Sequence, residues 1–157
     1  MVTKFKNIEF LPKDGKRLKL VSAEGVFDPN TTTELLISAA KRTVSKSTKV
    51  LDLGCGTGVV GLSLWLDGLA KEPIYASDLS EPSVSCSREN FKKYECKADV
   101  RCGALFDPWK NEKFDVIMDD ISGISQNIAS ISPWFNGVPC DTGDRGTDLI
   151  LSILRNA

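Results

Sequence analysis

A chain of 157 residues with 41% hydrophobic and 26% charged residues has the composition of one globular domain built on a single core. Twenty basic residues against 21 acidic ones leave a net charge of −1, which offers no global attraction to nucleic acid. The chain has no histidine, so the commonest general base and every Ser-His or Cys-His pair are excluded.

The first twenty residues carry Lys4, Lys6, Lys13, Lys16, Arg17 and Lys19. Largely apolar segments at 8–10 and 18–21 flank Asp14-Gly15, which reads as a hairpin whose cations form a solvated edge. Thr31 followed three residues later by Glu34 has the spacing of a capping box, and Leu35, Leu36, Ala39, Ala40 and Val44 continue as a helical stripe. A short central strand is expected over 50–53 and a helix over 59–69. A second strand over 74–77 ends at Asp78, followed by a mostly polar helix over 81–94 with Pro82 tolerated in its first turn. A third strand is expected over 100–102. Residues 114–118 form a fourth, continuous and apolar as a strand buried on both faces should be. Residues 149–154 are the apolar part of a last helix. Strands alternating with helices imply parallel β-α-β units with right-handed crossovers.

The five cysteines, Cys55, Cys86, Cys96, Cys102 and Cys140, form no C-x-x-C pair, and without histidine no metal site is expected. An odd count points to reduced thiols and a cytoplasmic protein. No apolar run approaches the roughly 20 residues of a spanning helix, and no export-signal core opens the chain, so no membrane partner is expected.

The chemistry concentrates in Val50-Leu51-Asp52-Leu53-Gly54-Cys55-Gly56-Thr57-Gly58. Alternate glycines let the backbone turn tightly and approach a ligand closely. They follow a strand end, where open α/β sheets bind ligands. Asp52, two residues before the first glycine, repels phosphate and suits a hydroxyl or an ammonium group. Gly56-Thr57-Gly58-Val59-Val60-Gly61 also matches the dinucleotide pattern G-x-G-x-x-G, and Asp78 serves either scheme. Asp52 has a role beside a methionine moiety and none beside a pyrophosphate. A third reading makes the glycines a tight strand-to-helix turn only.

The stretch 50–58 resembles motif I of the class I S-adenosylmethionine-dependent methyltransferases. The chain from 26 onward is similar to their small-domain members and to the release-factor glutamine methyltransferases. Val26, Pro29, Thr33, Glu34, Leu35 and Leu36 reproduce a segment that precedes motif I in that group. The resemblance implies a Rossmann-like, doubly wound, mostly parallel α/β sheet over 26–157, with 1–25 as an N-terminal hairpin extension. It implies S-adenosylmethionine as cofactor and S-adenosylhomocysteine as product. Phe27, Pro29 and Thr33 would close over the methionine end, which Asp52 would hold directly or through a water molecule. Gly54, Cys55, Gly56, Thr57 and Gly58 would bring the backbone to the cofactor. Asp78 and Leu79 would take the ribose, and Ala104 and Leu105 the adenine, where an alanine replaces the family's usual acid.

After the fourth strand the group carries N-P-P-Y, and this chain reads Asp119-Asp120-Ile121-Ser122-Gly123. Asp120 takes the asparagine position and is the catalytic candidate, accepting a proton or hydrogen bond from an amine or hydroxyl acceptor. The alternative is a strand-end loop with solvated carboxylates. Trp134 and Phe135 are candidates for a substrate pocket, but aromatic pairs more often pack in cores, which is the favoured reading, and Trp109 and Phe106 pose the same choice. Members of the group continue with three further strands, so the resemblance implies a sheet lacking its last three strands. The fourth strand is then an apolar edge that a homodimer or a partner chain would cover. The expected function is methyl transfer to a protein side chain or small molecule rather than bulk nucleic acid. The alternatives are a non-catalytic cofactor-binding or interaction module and a nicotinamide-dependent oxidoreductase.

Overall fold

Alternating apolar residues build the N-terminal hairpin from β1 (Phe5–Phe10) and β2 (Leu18–Ala23), antiparallel with Phe10 opposite Leu18 and Phe5 opposite Ala23. The computed structural model describes residues 3–13, 15–135 and 142–157, without the side chain of Trp134. Asp14 of the expected turn therefore lies outside the described residues. Phe10, Leu18 and Leu20 are buried, while Lys6–Asp28 and Arg17–Glu9 form ion pairs on the exposed side. Exposed pairs of this kind each contribute about 0–1 kcal/mol.

Helix α1 (Thr31–Ala40) starts on a different cap from the one expected. Asn30, not Thr31, is the N-cap: its side chain accepts from the N–H groups of Thr32 and Thr33, and the Thr33 hydroxyl accepts from Asn30 N–H. Asparagine caps at least as well as threonine. Glu34, freed from the box, accepts instead from Lys13 N–H at 2.8 Å and ties the helix to the hairpin.

Strand β3 (Val50–Leu53) leads into α2 (Val59–Leu66). The helix stops short of residue 69 because Asp67 caps it and Gly68 follows at φ +68°, the usual left-handed exit. Then come β4 (Ile74–Asp78), α3 (Glu81–Lys93) capped by Ser80, and β5 (Ala98–Cys102). A 3-10 turn at Asp107–Trp109 precedes β6 (Val116–Asp119); α4 (Gln126–Ile131), a second 3-10 turn at Pro133–Phe135 and α5 (Asp148–Asn156) follow. The 3-10 turns and α4 escaped sequence reasoning because none is long enough to show a period.

The four parallel strands lie in the order β5-β4-β3-β6, with β3 flanked by β4 and β6. One face carries α1, α2, α3 and the hairpin around Val50, Leu62, Leu64, Ile74, Val84 and Phe91. The other face packs Leu51, Leu53, Trp109 and Ile153 with Tyr75, Phe114 and Ile117. The expected α/β architecture, with its parallel sheet and antiparallel hairpin, is present. β6 is an edge of this sheet among the described residues and is only partly buried, not covered on both faces as expected. Phe114 lies outside it, in a cluster with Tyr75 and Trp109 whose ring centroids are 5.3–5.7 Å apart.

Asn90, fully buried on α3, binds the hairpin and the glycine loop together. It accepts from Val21 N–H and donates to Val21 and Thr57 carbonyls at 2.9 Å. No helix among the described residues is long and apolar enough to cross a membrane.

Candidate functional site

A cleft of about 450 Å³ opens at the C-terminal ends of β3, β4 and β6, where crossovers leave in opposite directions. Its floor is the loop 54–57, and Asp78, Leu79, Gly103, Ala104 and Leu105 form one end. Phe27, Pro29, Thr33, Asp120, Ser122 and Phe135 form the other. Of the fourteen residues singled out from sequence, all but Asp52 and Gly58 line it.

The three loop glycines do different work. Gly54, at φ +73°, sits under β6: a Cβ there would lie 2.6 Å from the Ile121 side chain. Gly58, at φ +75°, packs on α3, where a Cβ would come within 2.9 Å of the Phe91 ring. Gly56, at φ +51°, is the one open to the cleft, with only the Phe27 carbonyl within 4.0 Å of a Cβ. The loop's N–H groups are largely committed to the protein. Gly54 and Cys55 donate to the Ser77 carbonyl, Gly56 to Asp78 Oδ2, and Gly58 to the Cys55 carbonyl.

Asp52 departs from its expected place. Side chains alternate along a strand, so Asp52 shares the helix-layer face of Val50 and lies fully buried beneath the loop. Its Oδ2 accepts from Gly61 N–H at 2.9 Å, in the first turn of α2, and its Oδ1 has no partner among the described residues. Burial pushes its carboxyl up to about 7 against the effect of the Gly61 bond; Asp120 and Asp78 push the same way.

Asp78 closes β4 with both oxygens engaged, Oδ2 by Gly56 N–H and Oδ1 by Ser80 N–H, each at 2.9 Å. Burial raises its carboxyl, and those bonds oppose the rise. Ser83 and Leu79 also hydrogen-bond the carboxylate, which lines the cleft where a ligand hydroxyl can reach it. Asp120 receives one long bond, from Thr33 Oγ1 at 3.4 Å. Its side chain is open to the cleft, yet the surrounding walls strip hydration and raise its carboxyl. Leu105, at φ +43°, is a non-glycine in left-handed space on the wall, a strained conformation of the sort found at ligand sites.

Phe135 meets Phe27 edge-to-face at 5.4 Å, which settles it as a cleft residue rather than a core one. Trp109, by contrast, is core: its Nε1 donates to Ser77 Oγ at 2.9 Å beneath the sheet. Ile124, in the loop after β6, and Leu149, on the first turn of α5, line the cleft without any signal in the sequence, and Ser122 joins them from the stretch that follows β6. The side chain of Trp134 lies outside the described residues. Among the described residues no cluster of three or more His, Cys, Asp or Glu could hold a metal.

Residues 17–120 match the family model "Methyltransferase small domain". The chain is 33% identical over 92 residues to the ribosomal protein L11 methyltransferase of Staphylococcus saprophyticus, covering 57% of this chain and 28% of the relative. It is 32% identical over 113 residues to the release factor glutamine methyltransferase of Dictyoglomus turgidum, covering 66% and 38%. Its fold superposes on a T. thermophilus 16S rRNA methyltransferase solved with AdoMet and guanosine, at TM-score 0.61 and 21% identity, over 72% of this chain and 32% of that one. The chain thus spans between a quarter and two fifths of the length of these proteins.

Proposed function

This chain belongs to the methyltransferase small domain family, and we propose that it transfers the methyl group of S-adenosylmethionine to a protein side chain or small molecule. The observation that carries this reading is the state of the glycine loop. A pyrophosphate site leaves loop N–H groups and a helix N-terminus free for the anion. Here Gly54, Cys55, Gly56 and Gly58 spend theirs on protein oxygens, and Asp52 occupies the first turn of α2. That arrangement disfavours a dinucleotide and suits a ligand with hydroxyl and cationic groups.

The residues present fit such a ligand. Asp78 would accept the ribose hydroxyls in charge-assisted bonds. Leu79, Ala104 and Leu105 would wall the adenine, and Gly56 would let the backbone approach. Phe27, Pro29 and Thr33 would cover the methionine end. Asp52 acts from beneath, accepting from Gly61 N–H and so bracing the first turn of α2, which the loop leads into. The sulfonium supplies the reactive methyl group, and the chain supplies alignment of the acceptor for in-line transfer. Asp120 would hold the acceptor.

Calorimetric titration of S-adenosylhomocysteine, with NADH in parallel, tests the cofactor. Micromolar binding of the first alone is expected. Binding of NADH alone would replace this reading with an oxidoreductase.

A further inference from the structure

Given that the cleft is a methyl-transfer site, the charges on its walls narrow the acceptor. Asp28, Asp78 and Asp120 line it, and no Lys or Arg is among the described lining residues. Asp28 is spoken for by Lys6 at 2.7 Å and the Ser22 hydroxyl at 2.6 Å. Asp78 is held by Gly56 and Ser80. Asp119 turns into the backbone, its Oδ1 accepting from Ile121 N–H at 3.0 Å. Asp120 alone presents a carboxylate with a single, long protein contact, 3.4 Å from the Thr33 hydroxyl. The Phe27–Phe135 pair lines the same end of the cleft.

A carboxylate accepts hydrogen bonds and donates none. Ring faces attract cations. Negative charge with no cation on the same wall repels phosphate. A nucleobase on its phosphate backbone is poorly matched to such a surface; a neutral amide can donate to the carboxylate but gains neither the charge pairing nor the cation–ring attraction that an ammonium group finds there.

We infer that the acceptor is an aliphatic primary amine, of the kind carried by a lysine side chain or a small polyamine, with its nitrogen on Asp120 and its alkyl chain against Phe27 and Phe135. The ammonium form releases one proton to the Asp120 carboxylate and thence to solvent. The freed nitrogen lone pair attacks the methyl carbon of the sulfonium donor, and the C–S bond breaks with its electron pair passing to sulfur. The products are a methylated ammonium and a thioether. A carboxyl raised by the cleft walls suits the proton-accepting role.

The test offers methyl-labelled S-adenosylmethionine and the full chain four probes: a lysine-containing peptide, the same peptide with its amines acetylated, spermidine, and total RNA. Label is expected on the first or the third, and which one takes it separates a protein from a small-molecule source. Asp120→Asn should lower transfer about a hundredfold, the scale of losing a positioned proton acceptor, while Asp120→Glu recovers part of it. S-adenosylhomocysteine affinity should be unchanged in both, which also shows that they fold. Label on RNA or on the acetylated peptide overturns the amine assignment. So does the absence of transfer to either amine by a chain that binds S-adenosylhomocysteine. Failure to bind S-adenosylhomocysteine refutes the methyl-transfer reading itself.

Discussion

Asp52→Asn should change stability with opposite signs at low and high pH. Burial lifts the Asp52 carboxyl from 3.8 to about 7, a shift of roughly three units at about 1.4 kcal/mol each. The folded chain therefore holds a proton that the unfolded chain has released between about pH 4 and pH 7. Stability falls as pH rises through that window, by about 4 kcal/mol from this group when it is fully ionised. Asparagine removes that ionisation. It also places an amide NH2 or oxygen where Oδ1 has no partner among the described residues, a desolvation cost of about 1–3 kcal/mol. The variant should be slightly less stable than the parent at pH 5 and more stable at pH 8. Urea titrations followed by tryptophan fluorescence across pH 5–8 read both curves. Asp78, Asp119 and Asp120 are raised in the same direction, and Asp78 and Asp120 are coupled to Asp52, so the difference between the curves reports Asp52 together with that coupling. A difference that stays flat with pH would refute the placement of this carboxyl beneath the loop.

The other predictions concern the loop and its neighbours. Gly54→Ala should cost about 2–4 kcal/mol, because left-handed backbone and overpacking add where the new Cβ lies 2.6 Å from Ile121; a thermal melt checks it. Gly56→Ala should cost only about 1–2 kcal/mol of stability and instead weaken S-adenosylhomocysteine binding, since its Cβ faces the open cleft; unchanged calorimetric affinity would refute the close approach. Asp78→Ala should weaken that ligand by about tenfold or more, the scale of lost hydrogen bonds to a charged group, and an unaltered affinity would remove it from the ribose site. Ser77→Ala strands the buried Trp109 indole N–H and should lower unfolding free energy by about 1–3 kcal/mol, measured by urea denaturation.

Local physics made much of this protein legible from its residues. Alternate glycines after a short apolar strand mark a tight turn into the next helix, and β3 forms over the residues expected of it, 50–53. The helix-strand alternation fixed the α/β class because each period of apolar residues demands a partner layer. Asp78 at the end of β4 was placed by strand length alone. What the chain did not reveal locally depended on choices between equal local options. Asn30 and Thr31 are both good caps, and only the helix's docking decided for Asn30, which turns Thr33 toward Asp120, 87 positions away. Asp52 was read as a ligand contact, yet strand alternation puts it with Val50 on the helix side, and the depth of α2 buries it. Phe27 and Phe135 meet only because crossovers bring the segment before α1 and the loops after β6 over one strand-end crevice. Those contacts join residues far apart in sequence, so no periodicity or spacing encodes them, and only the closed fold determines the cleft's charge and shape.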